Sequence, residues 1–177
     1  QVNICNSLED LFKKCDAVTI ATPTINHYKI AKKAIEKGLH VFIEKPITDK
    51  LEDALELKKI ASDNIIQVGH IERFNSAYKK SLEYIDNPQF IEIHRISPFP
   101  KRSLDIPVVM DLMIHDLDIL LSINQNNPIK DIKASGASVV TNHIDLANAR
   151  IEFENGLVAN LTASRISAKQ MRKIRVF

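Results

Sequence analysis

The residues whose types and spacing could do chemistry lie in separate stretches. His40-Val41-Phe42-Ile43-Glu44-Lys45-Pro46 reads as a short apolar strand that ends in a carboxylate, an ammonium and a proline. A strand without alternation is buried on both faces, the habit of a parallel sheet covered by helices. Ligands of such sheets bind outside the carboxyl ends of the strands. Lys45 sits at that edge. The plain alternative makes Glu44 and Lys45 solvated loop charges and leaves Pro46 only to stop the strand. The second stretch is Val108 to Ile123, a helical pattern with Met110, Ile114, Leu117 and Leu121 as its apolar stripe. Asp111, His115, Asp118 and Ser122 fall on a neighbouring stripe. A carboxylate one turn from an imidazole can orient the ring and stabilise its charged form, which is what a general base near neutral pH requires. Two other readings stay open. Asp111 can be a helix-start aspartate favoured by the dipole, with His115 bonded to something ordinary. Asp111, His115 and Asp118 can also be metal ligands, although no second histidine is grouped with them. Arg73 and Arg165 suit forked contacts to a phosphate or sugar oxygen, and serve equally as surface salt bridges.

The elements that must position these side chains follow from periodicity. Val2 to Ile4 is the tail of a strand, and Ser7 caps a short helix through Phe12. Asp16 opens a buried strand over Ala17 to Ala21 that ends in Thr22-Pro23-Thr24. A helix from Ile25 carries Ile30, Ala31, Ala34 and Ile35 on one face and stops at Gly38. Strand, helix and strand are then complete by Pro46, a βαβ unit of right hand. A helix over Leu51 to Ser62, with Ala54, Leu57, Lys58 and Ala61 on its buried side, leads to a strand at Ile65 to Val68. The alternation is that of a doubly wound α/β domain.

From Ile71 the texture changes. A helix runs from the Arg73-Phe74-Asn75 segment through Leu82, Gln89 to Ser97 alternates like a half-buried strand, and Pro98, Pro100 and Pro107 mark an irregular connection. Ala147 to Phe153 and Leu157 to Ala163 form a hairpin about Glu154-Asn155-Gly156, and Arg175 to Phe177 begins another strand. The expected fold is a partial Rossmann doubly wound parallel sheet over residues 1–70. An α+β domain with a largely antiparallel, open-faced sheet follows over 71–177, and both are cut at the outer ends.

Composition narrows the function classes. The 177 residues are 45% hydrophobic and 26% charged, with a formal net charge of +2 and no block of either sign. Neither a nucleic-acid groove nor an anionic membrane surface is indicated. No apolar run is long enough for a bilayer. Cys5 and Cys15 are not spaced as a thiolate metal pair and fit a reducing, cytoplasmic compartment. The 4 glycines are scattered, so no Gly-x-Gly-x-x-Gly turn is present to hold a pyrophosphate. These residues by themselves should bind a dinucleotide weakly or not at all.

Ala21-Thr22-Pro23 with His27, then Glu44-Lys45-Pro46, Arg73-Phe74-Asn75 and Asp111-x-x-x-His115-Asp116 together resemble the glucose-fructose oxidoreductase, inositol dehydrogenase and MocA (Gfo/Idh/MocA) family. The order and spacing match over nearly the whole chain. The resemblance implies an NAD(P)-dependent dehydrogenase acting on a secondary alcohol of a sugar or nucleotide sugar, and a homo-oligomer built through the C-terminal sheet. It implies that Lys45, Asp111 and His115 are catalytic, that Thr22, Pro23, Asn26, His27, Glu44 and Lys45 contact the cofactor, and that Arg73, Asn75 and Arg165 contact substrate. NAD is favoured over NADP, although the acidic residue that selects between them is not in the sequence. The run Val108 to Asp118, with Arg165 in Ala-Ser-Arg-Ile-Ser, most resembles the group that oxidises the 3-hydroxyl of UDP-N-acetylglucosamine. The rivals are a non-catalytic sugar-nucleotide-binding or regulatory homologue, and an enzyme like biliverdin reductase or trans-dihydrodiol dehydrogenase.

Overall fold

The computed structural model describes residues 3–99, 106–125 and 127–177, and the chain divides into two compact units, Gln1–His70 and Ile71–Phe177. Val2 and Pro100 lie outside the described residues; Asn3 and Ile4 are in no strand.

In the first unit, β1 (Ala17–Ile20), β2 (His40–Ile43) and β3 (Ile66–Val68) form a parallel sheet in the order β1-β2-β3. Val18 pairs with Val41, and Ile43 with Val68. Helix α1 (Leu8–Phe12) is capped by the Ser7 hydroxyl, which accepts from the Asp10 amide at 3.1 Å. Helix α2 (His27–Glu36) ends as expected ahead of Gly38, whose φ of +81° is the left-handed conformation a helix stop requires. Helix α3 (Leu51–Ile60) follows β2, and Lys32 of α2 reaches its Glu56 at 2.6 Å.

The strands of this sheet correct one expectation. Instead of being buried on both faces, β1 and β2 alternate: Val18, Ile20, Val41 and Ile43 are buried, while Ala17, Thr19 and His40 are exposed. The buried face packs with Ala31, Ala34 and Ile35 of α2 and Leu57 of α3 into one core. Leu57 alone is fully buried on α3, and Lys58, expected on the inner side, is exposed, as its charge demands. Burying a leucine of this kind contributes about 1.5–3 kcal/mol.

In the second unit, α4 (Ser76–Ser81) precedes β4 (Phe90–Ile96); α5 (Ile114–Ile123), β5 (Ile129–Ala137), β6 (Leu146–Phe153), β7 (Val158–Ser164) and β8 (Met171–Val176) complete it. The sheet runs β5-β6-β7-β4-β8, with β4 and β7 parallel and the other neighbours antiparallel. Gly156, with φ of +88°, turns the β6–β7 hairpin. Ile91 and Ile93 of β4, alternate residues of β6 and β7, and Met113, Ile119, Leu120 and Ile123 form the core between sheet and helix.

The Val108 to Ile123 helix is not continuous. Val109–Met113 is a π-helical turn, in which the Ile114 amide reaches back to the Val109 carbonyl, and α5 begins after it. The extra residue per turn shifts the inner face. Met113, Asp116, Ile119, Leu120 and Ile123 are buried, whereas Met110, Ile114, Leu117 and Leu121, expected as the apolar stripe, are only half-buried.

Candidate active site

At the carboxyl edge of the first sheet, backbone bonds continue past the strand ends. The Glu44 amide donates to the Ile20 carbonyl at 2.9 Å, and the Gly69 amide to the Ile43 carbonyl at 2.8 Å. The turns after β1, β2 and β3 are therefore tied to one another, and Lys45 leaves the middle one, half-buried. The Lys45–Pro46 peptide bond is cis. Thr22, Pro23, Asn26 and Glu44 are exposed along this edge. A Cβ on Gly69 would lie 3.0 Å from Glu44 Oε2 and 3.4 Å from its Cα, so the glycine leaves this carboxylate its room. The hydroxyl of Thr22, the amide of Asn26 and the carboxylate of Glu44 are exposed groups of the kind that bond a nucleoside's ribose and amide, and they fit that end of a dinucleotide. The residues for its pyrophosphate are not in the sequence.

His27 stands beneath these turns. It is 1% exposed, with Nδ1 2.9 Å from the Pro46 carbonyl oxygen and Nε2 2.8 Å from the Thr22 carbonyl oxygen. Both ring nitrogens are engaged by backbone.

In the second unit, Asp111 lies in the π-helical turn and His115 in the first turn of α5, both half-buried. The carboxylates that follow His115 are each held by an arginine. Asp118 receives Arg73 Nε and Nη2, both at 2.7 Å. Asp116, 1% exposed, receives Arg95 Nε at 2.8 Å, and Arg95 Nη1 bonds Glu72 at 3.1 Å. Burial pushes the Asp116 carboxyl up, with the Arg95 bond and charge opposing it only in part. Burial also acts to raise Glu72, but Arg95 beside it outweighs this and holds the group below its ordinary value. Arg73 thus forms an ion pair with Asp118. Asn75 caps α4, its Oδ1 accepting from the Ala77 and Tyr78 amides at 2.9 and 3.4 Å. A cavity of about 600 Å³ is lined by Tyr78, Arg95, Asp116, Ile123 and Arg172 among others; Asp111, His115 and Arg73 are not part of its wall.

Arg165, expected at a substrate, is fully buried. Its Nε donates to Asp145 Oδ1 at 2.8 Å, Nη1 to the Ile106 carbonyl at 2.9 Å and Nη2 to Thr141 Oγ1 at 3.0 Å. Asp145 Oδ2 in turn accepts from the amides of Val139, Val140 and Thr141 at 2.8–2.9 Å. Burial alone would raise this carboxyl; the bonds from Thr141, Val140 and Val139 overcome it and hold it well below the usual carboxylate range. Arg165 is a strut between the β5–β6 connection and the segment before α5.

Sequence reasoning missed Arg95, Glu72 and Asp145. For Arg95 a signal existed. It shares a face with Ile91 and Ile93, and a charge on the buried face of a strand must have a partner. Among the described residues no group of three or more His, Cys, Asp or Glu gathers as a metal site, and no helix is long and apolar enough to cross a membrane.

Comparison with known proteins agrees with this organisation. Residues 1–70 match the oxidoreductase family with an NAD-binding Rossmann fold, and residues 68–177 match the GFO/IDH/MocA C-terminal domain. UDP-N-acetylglucosamine 3-dehydrogenase of Acidithiobacillus ferrooxidans is 40% identical over 97% of this chain and 55% of its own length. A solved structure of that enzyme superposes with a TM-score of 0.92 at 39% identity, over 99% of this chain and 59% of the other. The scyllo-inositol 2-dehydrogenase (NAD(+)) of Bacillus subtilis is 30% identical over 86% of this chain and 49% of its own. The chain thus spans about half the length of the curated relatives it matches. With both of its units matched in order, the chain belongs to the Gfo/Idh/MocA oxidoreductase family.

Proposed function

We propose that this chain is part of an NAD-dependent dehydrogenase that oxidises the 3-hydroxyl of UDP-N-acetylglucosamine. The observation that carries the reading is the 40% identity to an enzyme of that name across 97% of the chain, both units included. The nicotinamide, when bound, supplies the hydride acceptor. The protein must take up the hydroxyl proton and stabilise the charge that develops on oxygen. Lys45, at the carboxyl end of the middle strand, supplies the positive charge. His115 accepts the proton, with Asp111 orienting it. Thr22, Pro23, Asn26 and Glu44 contact the cofactor. Arg73, from its exposed side, and Asn75 contact substrate. The reading extends to a cytoplasmic homo-oligomer assembled through the second sheet.

The full-length protein, incubated with NAD and a panel of UDP-N-acetylglucosamine, scyllo-inositol and myo-inositol, should form NADH with the nucleotide sugar. NADH formation with an inositol alone would move the enzyme to another branch of the family. No NADH with any polyol or sugar nucleotide would leave the non-catalytic homologue.

A further inference from the structure

We infer that His27 is a positioning residue that sets the spacing between the turn after β1 and the turn that carries Lys45. This rests on the dehydrogenase reading of Lys45. The imidazole is 1% exposed and meets two backbone oxygens from separate turns, the Thr22 carbonyl at 2.8 Å and the Pro46 carbonyl at 2.9 Å. A carbonyl oxygen can only accept, so each contact that is a hydrogen bond is made by a ring N–H. The imidazole ring is rigid, and its nitrogens are held at a fixed separation on opposite sides. One side chain therefore gauges the distance between Thr22 and Pro46, which lie beyond the last backbone bond between these two turns, Glu44 to Ile20. His27 is the first residue of α2 and belongs to the buried face that holds Ala31, Ala34 and Ile35, which gives the gauge a fixed base.

Pro46 is bonded directly to Lys45, so the carbonyl that His27 holds lies one residue from the proposed catalytic ammonium. Thr22 and Pro23, on the other side, are proposed cofactor contacts. A displaced Pro46 carbonyl would change where Lys45 acts without removing any group that touches cofactor or substrate. Misplacement of about 1 Å at a reacting centre costs on the order of 100-fold in rate. Loss of His27 should accordingly appear in hydride transfer and not in cofactor affinity.

The test uses the full-length enzyme, with His27→Gln, whose amide nitrogen can reach one carbonyl, and His27→Ala, which reaches neither. Single-turnover hydride transfer at saturating NAD should fall about tenfold in the first and about 100-fold in the second. The Kd for NAD, by calorimetry, should change less than about threefold, roughly the limit of a lost weak contact. Unchanged transfer in both variants, or NAD affinity that falls in step with the rate, would overturn the assignment. A second measurement is independent of turnover. After isotope-labelled reductive methylation, the Lys45 resonance, identified with Lys45→Arg, should shift or broaden in His27→Gln, and an unaltered resonance would count against the gauge. If the wild-type protein oxidises no alcohol, the dehydrogenase reading fails while the Lys45 resonance still reports on His27.

Discussion

Arg73 grips Asp118 with two parallel hydrogen bonds of 2.7 Å, Nε to Oδ2 and Nη2 to Oδ1. The aspartate is 9% exposed and the arginine 48%, so the fork joins the Ile71–Phe74 turn to α5 at a boundary between protein and water. Solvent screens the arginine, and Arg73→Lys, which cannot fork, should cost about 0.5–1 kcal/mol. Hydrogen exchange of the α5 amides is the readout, and it should quicken. If Arg73 serves substrate alone, KM rises and exchange stays as it was.

The Arg95–Asp116 pair makes an asymmetric prediction. Arg95→Met strands a buried aspartate and deprives Glu72 as well, and should destabilise by about 3–5 kcal/mol. Asp116→Leu leaves Arg95 its bond to Glu72 and should cost less. Combined, the two changes should recover much of the loss, because neither charge is then buried alone. Additive losses in urea unfolding would show that the pair is not acting as a unit.

Asp145 predicts an acid-labile second unit. Its folded carboxyl lies below the ordinary value, so its stabilisation is complete above the unfolded pKa of about 3.9 and drains as pH falls beneath that. Asp145→Asn should therefore lower the urea midpoint at neutral pH, and the gap to wild type should narrow below about pH 4. Asp116 has the opposite sign: its carboxyl is raised, and its contribution falls as pH climbs from about 4 through the folded value. A gap for Asp145→Asn that stays constant into acid would contradict the assignment.

Lys45→Met in the full-length enzyme should lower turnover far more than it weakens NAD binding, because the charge matters chiefly as the alkoxide forms. His115→Ala should cost roughly 10²- to 10⁴-fold in turnover, the usual worth of a positioned base, and Asp111→Asn less. Near-normal single-turnover rates in His115→Ala would remove it from the chemistry and leave Lys45 as the base.

The βαβ unit from Asp16 to Pro46 was legible because its punctuation is local: an apolar run, a helical face, Gly38 and a proline each act over a few residues. The β6–β7 hairpin was legible for the same reason. Strand β5 was not, since every residue from Ile129 to Ala137 is exposed and no buried face imposes alternation. The packing of His27 and Arg165 was not legible because motif spacing reports which residues recur together. It does not report which way a ring or guanidinium turns, and partners far along the chain decided that: Pro46 for one, Ile106 and Asp145 for the other.

Asp116 acts as an index mark on α5. An apolar helix face alone tolerates some rotation about its axis, since one aliphatic side chain substitutes for another at modest cost. A carboxylate set between Met113 and Ile119 removes that tolerance, because turning the helix by one residue would carry the charge off the guanidinium that β4 presents to it. The phase of His115, its chain neighbour, is thereby keyed to a strand, and a sequence that swaps the Arg95–Asp116 pair for apolar residues gains freedom to drift in aim even where it gains stability.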